Sequence, residues 1–217
     1  MISWKPSKQH LIIFTRYPEP GKTKTRLIPA LGDIGAANLH KQMTEHTIFQ
    51  VKELQKITIV TVEVRFTGGN LEKMQNWLGN DLRYESQGEG DLGARMERSL
   101  INAFNQKAEK VIIIGTDCPN LNSQILTIAF EQLDVFNLVL GPALDGGYYL
   151  IGLQQPIAEL FTNISWGTAQ VFAKTVEIAQ KLNLSMGYLQ TLADIDRPED
   201  LTPVSDVMRY SFLSQNP

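Results

Sequence analysis

The chain of 217 residues is long enough for one large domain, and 43% hydrophobic with 20% charged residues is typical of an ordinary globular protein. A net charge of −3 at pH 7 provides no overall positive field for binding nucleic acid. The single cysteine, Cys118, excludes an intramolecular disulfide and a cysteine-rich zinc site, and it fits a reducing compartment.

The sequence contains no apolar window approaching the roughly 18 residues of a membrane-spanning helix. Near the N-terminus, lysines precede only a short apolar run at 11–14, which is too short for the apolar region of a signal peptide. We therefore expect a cytoplasmic protein. Because no repeat, low-complexity run or linker interrupts the chain, we also expect a single domain over residues 1–217.

Apolar runs and amphipathic segments alternate along the chain. Buried strands are predicted at residues 11–14, 57–64, 111–114, 136–140 and 148–153. Helices are predicted from Asp33 to about residue 55, at 71–78 after an Asn70 cap, after an Asp91 cap, at 123–133, and at 168–182 with Thr168 as the cap. The alternation predicts an α/β fold with a mostly parallel sheet and helices on both faces.

The loop after the first strand is rich in cationic side chains. Ligands of open parallel sheets bind at the carboxyl ends of the strands, and lysine and arginine both suit phosphate oxygens. A solvated basic loop is the alternative, and a P-loop is excluded because Arg16 stands where its first glycine would be. The predicted phosphate-binding residues are Arg16, Gly21, Lys22, Lys24, Thr25 and Arg26.

Two aspartates follow later predicted strands. Asp117 is placed to hold Mg²⁺ or Mn²⁺, which prefer oxygen ligands and bridge phosphate oxygens; the alternative is a turn before Pro119. Asp145 precedes Gly146 and Gly147, which allow close backbone approach, and it could bind a sugar hydroxyl, an acceptor or a second metal. Here the alternative is a hairpin turn.

Alternate carboxylates recur near the C-terminus. Asp194 and Asp196 lie on one side of an extended segment and are candidates for a further metal ligand. Glu199 and Asp200 instead fit the start of a helix after Pro198.

The aromatic and imidazole side chains give weaker signals. Trp166 either lines a pocket or supports the core. His10, His40 and His46 are scattered without the spacing of metal ligands, so the sequence assigns them no chemistry.

Residues 88–93 spell GxGxxG at the start of a predicted helix. This match raises the alternative of a NAD-dependent oxidoreductase, with Asp117 in the ribose-binding position. The stretch before it is a poor buried strand, and the basic loop would then have no role.

Six motifs occur in order along residues 10–201. They are Phe14-x-Arg16-x-Pro18-x-Pro20-Gly21-x-x-Lys24-Thr25-Arg26-Leu27, Gln87-Gly88-x-Gly90-Asp91-Leu92-Gly93-x-Arg95-Met96, Gly115-x-Asp117-Cys118-Pro119, Gly141-Pro142-x-x-Asp145-Gly146-Gly147-Tyr148, Trp166-Gly167-Thr168 and Asp194-x-Asp196-x-Pro198-Glu199-Asp200-Leu201. Together they resemble the DUF2064 family, described as candidate glycosyltransferases or selenodomain-associated transferases with the glycosyltransferase-A (nucleotide-diphospho-sugar transferase) fold.

The resemblance implies a nucleotide over the first half of the sheet, with its phosphates near Lys24 and Arg26. It also implies a metal on Asp117, shared with Asp196, as in the distantly similar phospholactate guanylyltransferases. Sugar transferases of this fold often carry Asp-x-Asp at the metal position. Here Gly115-Thr116-Asp117 supplies one acid, which leaves nucleotidyl transfer open.

The sequence thus predicts a metal-dependent transferase that takes a nucleotide-sugar or nucleoside triphosphate donor and a small-molecule acceptor. Asp117, Asp145 and Lys24 are its predicted catalytic residues. Gly88 and Asp91 join the basic loop in the nucleotide site, and Gly146, Gly147 and Trp166 join Asp145 on the acceptor or sugar side. A nucleotide-binding protein without catalysis is the alternative from another class.

Overall fold

The computed structural model describes residues 8–201, so the first residues used to argue against a signal peptide lie outside it. The strands in this range are β1 (Gln9–Arg16), β2 (Val60–Thr67), β3 (Arg83–Ser86), β4 (Lys110–Ile114), β5 (Leu138–Pro142), β6 (Tyr148–Leu153) and β7 (Met186–Tyr188). The α-helices are α1 (Ile28–Ile57), α2 (Leu71–Leu78), α3 (Leu92–Asn105), α4 (Ser123–Gln132) and α5 (Val171–Lys181).

The strands form one sheet in the order β3-β2-β1-β4-β6-β5-β7. Strands β1, β2, β3 and β4 pair in parallel, as do β5 and β7, and only β6 runs antiparallel to its neighbours β4 and β5. The mostly parallel sheet is therefore confirmed. Its parallel strands all end at one edge, and the loops that follow them are gathered there.

Apolar side chains from both faces of the sheet build two cores. Leu11 and Ile13 of β1 pack with residues of α1, α2 and α4, whereas Ile12 of the same strand packs with residues of α3 and α5. Helices on both faces are thus confirmed. A strand covered on both sides needs apolar residues at successive positions, which is why β1 and β4 are continuous apolar runs.

One boundary prediction near α1 and β2 is wrong. A short helical segment from Ile28 ends at Gly32, whose φ of 68° is not helical, and the long helix resumes at Asp33, the position predicted for its start. That helix continues to Ile57, which is 68% exposed, so the predicted strand at 57 does not start until Val60. The β-branched residues around position 57 lie on the surface, and burial decides where the strand begins.

Two helix caps are confirmed and one is wrong. The Asn70 side chain accepts a hydrogen bond from the Lys73 amide, and Asp91 accepts one from the Ala94 amide, both at 2.9 Å. Helix α5 begins only at Val171, with Gln170 at its N-cap, while the Thr168 hydroxyl donates to the Ser165 carbonyl and accepts from the Gln170 amide.

On α3, Leu92 is 42% exposed, whereas Met96 and Leu100 are buried. Between residues 8 and 201, no helix has both the length and the apolar character that crossing a membrane requires. The cytoplasmic location stays a prediction.

Candidate functional site

The basic loop after β1 folds back on itself through its own polar groups. The guanidinium of Arg16 donates to the Lys22 carbonyl at 2.8 Å, and the ammonium of Lys22 lies 2.9 Å from the Glu19 carboxylate. Lys24 has a left-handed backbone at φ 50°, which is uncommon for a residue with a Cβ. That conformation ends the loop directly before a short 3₁₀ helix, Thr25–Leu27.

The Lys24 side chain is buried between two carboxylates. Its Nζ donates to the Ile195 carbonyl at 2.5 Å and lies 3.0 Å from Asp117 Oδ1 and 3.5 Å from Asp196 Oδ1. Asp196 also receives the guanidinium of Arg26 at 2.6 Å. Burial alone would raise the pKa of Asp196, but the charges of Lys24 and Arg26 outweigh it and lower the pKa.

Backbone contacts fix the C-terminal segment against the sheet. The Ile195 amide donates to the Asp117 carbonyl at 2.9 Å, and the Ile195 side chain packs with Leu27 and Met43. Asp200 accepts hydrogen bonds from the amides of Asp196 and Arg197, so it caps a turn, the role predicted for it. The helix that follows is a short 3₁₀ helix, Pro198–Leu201.

Asp145 and Asp194 form a second pair of carboxylates. Asp145 lies in the turn between β5 and β6, and Asp194 lies in the segment after β7. Asp145 Oδ1 accepts a hydrogen bond from the Gly147 amide at 2.7 Å, inside a hairpin turn closed by backbone bonds between Ala143 and Gly147. The hairpin alternative for Asp145 is therefore correct as a description of the backbone. Burial raises the pKa of Asp194, and the nearby Asp145 carboxylate raises it further.

Three adjoining cavities of 350, 370 and 390 Å³ open at this edge of the sheet, and Arg26 and Asp196 line all three. We call them together the cleft. Arg16, Lys22 and Thr25 line its basic end. Asp145, Gly147 and Trp166 line the central cavity, where the Trp166 ring packs edge-on against Tyr148 at 6.4 Å.

The cleft also contains a histidine to which the sequence assigned no role. His40 of α1 lines its basic end, and its Nε2 lies 2.9 Å from the Arg16 carbonyl. Nδ1 is buried, has no hydrogen-bond partner within residues 8–201 and lies 4.0 Å from Asp117 Oδ1. Burial lowers the pKa of His40, and the Asp117 carboxylate acts in the opposite direction.

Three hydroxyls form a buried polar cluster beside this imidazole. Thr15 Oγ1 lies 3.1 Å from Thr44 Oγ1, and 3.4 Å from both Thr116 Oγ1 and His40 Nε2. The ring of His40 lies beside polar groups of β1 and of the segment that follows β4. Nothing in the sequence of α1 indicates these contacts.

The GxGxxG segment does not have the geometry of a dinucleotide site. It follows β3, a four-residue edge strand, whereas Asp117 follows β4, and both β2 and β1 lie between those strands. The dinucleotide fold needs the glycines and the acid on neighbouring strands. Gly93 supports packing instead, because a Cβ there would lie 2.5 Å from the Phe161 carbonyl oxygen.

The structure therefore brings together most, but not all, of the predicted residues. Gly21, Gly88, Asp91 and Gly146 do not line the three cavities. Asp91 caps α3, and Gly146, at φ 88°, packs so closely on the segment before α5 that a Cβ would lie 2.2 Å from the Ala169 carbonyl oxygen. Buried Cys118 contributes to packing, as predicted.

The fold defines a class of proteins. A candidate nucleotide-diphospho-sugar transferase from Desulfovibrio desulfuricans G20 superposes with a TM-score of 0.88 at 29% identity, over 97% of this chain and 91% of that one. The inositol-1-phosphate CTP transferase from T. maritima (TM-score 0.59, 15% identity, 94% and 97% covered) shares the fold, as does the 4-diphosphocytidyl-2C-methyl-D-erythritol synthase from Anaerococcus prevotii DSM 20548 (0.62, 9%, 94% and 100%).

The chain has the nucleotide-diphospho-sugar transferase fold, as predicted. It belongs to the DUF2064 family, "Uncharacterized protein conserved in bacteria", which matches residues 50–168. The resemblance found in the sequence is thus confirmed. No curated protein matches the sequence.

Proposed function

We propose that the protein is a transferase that binds a nucleotide donor in the cleft and transfers part of it to a small acceptor. One observation carries the proposal: the cavity lined by Arg16, Lys22, Lys24 and Arg26 opens, past Asp117 and Asp196, into a cavity lined by Asp145 and Asp194. Cations suit the donor phosphates, and carboxylates suit hydroxyl groups and divalent ions. The fold shared with the Desulfovibrio protein supports the proposal.

The basic end of the cleft would hold the donor phosphates. Arg26 is 56% exposed and, in the part of the chain that the structure describes, pairs with the carboxylate of Asp196, so its guanidinium can turn a second edge toward phosphate oxygens. Lys22 is exposed and its ion pair with Glu19 is weak, so a phosphate can replace that partner. Lys24 is different, because its ammonium is 5% exposed and already has three acceptors. We therefore assign Lys24 to holding Asp117 in place as well as to neutralising the phosphates.

A divalent cation shared by Asp117 and Asp196, the predicted position, would have to displace the ammonium of Lys24, which lies between the two carboxylates. Within residues 8–201, no three acidic, histidine or cysteine side chains are grouped closely enough to hold an ion. Asp117 would hold Mg²⁺ or Mn²⁺ together with donor phosphates and water, the usual arrangement for such ions. When bound, the ion would offset charge on the leaving diphosphate.

The acceptor would enter at the carboxylate end of the cleft. Asp145 is fixed by its bond to the Gly147 amide and can orient an acceptor hydroxyl. The pKa of Asp194 is raised, and a carboxylate with a higher pKa is a stronger base. We therefore assign Asp194 to take the proton that this hydroxyl loses. Trp166 forms the apolar wall beside them.

Two reactions are open, and the roles of Asp145 and Asp194 toward an acceptor hydroxyl apply to the first of them. In glycosyl transfer, an acceptor hydroxyl attacks the anomeric carbon of a nucleotide-sugar, and a nucleoside diphosphate leaves. In nucleotidyl transfer, an acceptor phosphate attacks the α-phosphorus of a nucleoside triphosphate, and diphosphate leaves. The single acid at Asp117 leaves the second reaction open, and the inositol-1-phosphate CTP transferase shares the fold.

A thermal-shift panel tests the proposal. Nucleoside triphosphates and UDP-, GDP-, ADP- and dTDP-sugars would each be tested with Mn²⁺, Mg²⁺ or chelator. A ligand at 100 times its Kd should add about 2.7 kcal/mol to the stability. We expect a metal-dependent shift that Asp117→Asn abolishes, and we expect the stabilising donor to be consumed when acceptors are added.

Two other results would contradict the proposal. Binding that needs neither metal nor Asp117 would indicate a nucleotide-binding protein without catalysis. A shift with NAD alone would favour an oxidoreductase.

A further inference from the structure

We infer that His40 is a metal ligand beside Asp117, and that the cleft therefore prefers Mn²⁺ or a similar transition-metal ion over Mg²⁺. The inference rests on the proposed function, because it concerns the ion that would accompany the donor. It adds an imidazole nitrogen to a site for which the sequence indicated only carboxylates.

The hydrogen bonds of His40 determine which ring nitrogen is free. A carbonyl oxygen can only accept, so Nε2, at 2.9 Å from the Arg16 carbonyl, must carry the proton. In the neutral ring Nδ1 then carries the lone pair. A metal-binding histidine in proteins almost always donates its other N–H to a carboxylate, a backbone carbonyl or water.

Among the residues that the structure describes, none donates a hydrogen bond to the lone pair of Nδ1. His40 is 5% exposed, its Nδ1 is buried, and the ring lines the basic end of the cleft. A buried acceptor without a donor is costly, and functional sites are one place where such atoms persist. Asp117 Oδ1 lies 4.0 Å from Nδ1 and is itself an acceptor.

Asp117 Oδ1 already has the Lys24 ammonium as a partner, whereas the lone pair of Nδ1 does not, so a cation bound between the two atoms would give Nδ1 a partner. Ligands about 2.1 Å from the same ion lie roughly 3 to 4 Å apart, so the present separation needs only a small movement to bind one. Lys24 competes for the same carboxylate oxygen at 3.0 Å. An ion would therefore displace the ammonium from Asp117 and leave it to Asp196 and the Ile195 carbonyl.

The ligand chemistry selects the kind of ion. Imidazole suits first-row transition metals, whereas Mg²⁺ is held by carboxylates, phosphates and water. One nitrogen and one carboxylate oxygen from the protein, with donor phosphates and water, make a set that Mn²⁺ accepts more readily than Mg²⁺. Thr15, within 3.4 Å of Nε2, helps to hold the ring in place.

Electron paramagnetic resonance of Mn²⁺ with the chelator-treated full chain, without nucleotide, tests the inference. We expect Mn²⁺ to bind, to resist about a tenfold excess of Mg²⁺ and to show pulsed-resonance coupling to a directly bound ¹⁴N nucleus. Labelling the histidines with ¹⁵N should convert that coupling to the ¹⁵N pattern. His40→Gln should abolish it and weaken Mn²⁺ binding by roughly tenfold or more.

His46→Gln is the matched control, since it removes an imidazole from the same helix outside the three cavities. It should keep both the coupling and the affinity. Mn²⁺ that binds without nitrogen coupling, or no Mn²⁺ binding at all, would overturn the inference. Either result leaves the proposed function to be judged separately by the donor panel, because that panel detects donor binding and not the ligand atoms of the ion.

Discussion

The ammonium of Lys24 lies 3.0 Å from the carboxylate of Asp117, although the two residues follow different strands, β1 and β4. The same ammonium donates to the Ile195 carbonyl, so one side chain joins three segments of the chain at the cleft. A buried cation with three acceptors is costly to remove, because the carboxylates it neutralises are then left without it. This contact links the stability of the fold to the shape of the site.

Lys24→Asn should lower the free energy of unfolding by about 1–3 kcal/mol. This loss is smaller than that for a fully buried ion pair, because both carboxylates are partly exposed. Asparagine is chosen because it tolerates the left-handed backbone of this position, so the loss reports the side chain. Urea denaturation measures the change. Lys22→Asn, which removes an exposed ion pair in the same loop, should change it by no more than about 0.5 kcal/mol. Equal losses in both variants would show that Lys24 makes no special contribution.

Arg26→Ala should weaken donor binding by roughly tenfold or more, because its guanidinium lines all three cavities of the cleft and suits phosphate oxygens. Titration calorimetry with the donor from the thermal-shift panel measures the effect. Lys41→Ala removes a cation from α1 that pairs with Glu45, and it serves as the control with unchanged affinity. Unchanged affinity in Arg26→Ala would place the phosphates elsewhere.

Asp194→Asn should raise stability slightly at pH 7, on the order of 0.5 kcal/mol after solvent screening, while it lowers turnover. Burial and the Asp145 carboxylate raise the pKa of Asp194 in the folded protein. At a pH above this raised pKa, the ionised carboxylate lowers the stability of the fold, and this loss disappears as the pH falls through the raised pKa. The gain of the variant should therefore shrink toward acid pH. Thermal unfolding between pH 3 and pH 7 measures it, with exposed Glu131→Gln as the control. A loss of stability at pH 7 would mean that Asp194 has a favourable partner.

Glu63→Gln should destabilise the protein by about 3 kcal/mol at pH 7, because it leaves buried Arg65 without its carboxylate. Burial opposes ionisation of Glu63, but His10 and Arg65 outweigh it and lower its pKa. Its contribution is therefore present above the unfolded value of about 4.3 and is lost as the pH falls through the lowered pKa. Urea denaturation at several pH values should show the difference from the native chain shrinking in acid.

Exposed Glu85→Gln on the neighbouring strand is the control and should have little effect. A loss from Glu63→Gln that does not depend on pH would contradict this account of the ion pair.

The fold was predictable where local pattern and burial agree. The continuous apolar runs of β1 and β4 follow from cover on both faces, and Asn70 and Asp91 follow from helix-cap chemistry. Strand β7 was missed because only one of its three residues is buried, so it has no run to detect. The antiparallel direction of β6 depends on a tight turn at Asp145, which the sequence suggested only as an alternative.

The candidate site was predictable as a set of segments but not as a set of contacts. The rule that ligands bind beyond the carboxyl ends of parallel strands placed Arg26, Asp117 and Asp145 at one edge, and they line one cleft. The pairing of Lys24 with Asp117 and Asp196 depends on how distant segments meet in space. The unpartnered nitrogen of His40 depends on the same tertiary packing, so residue spacing alone could not reveal it.

Hydrogen exchange measured with and without the donor tests the central claim most directly, because it locates the bound nucleotide on the chain. The account predicts slower exchange of the amides at residues 21–27, 115–119 and 193–197, the segments that surround the cleft. Slower exchange confined to the opposite edge of the sheet, where residues 8–9 and 55–59 line a separate cavity, would contradict it.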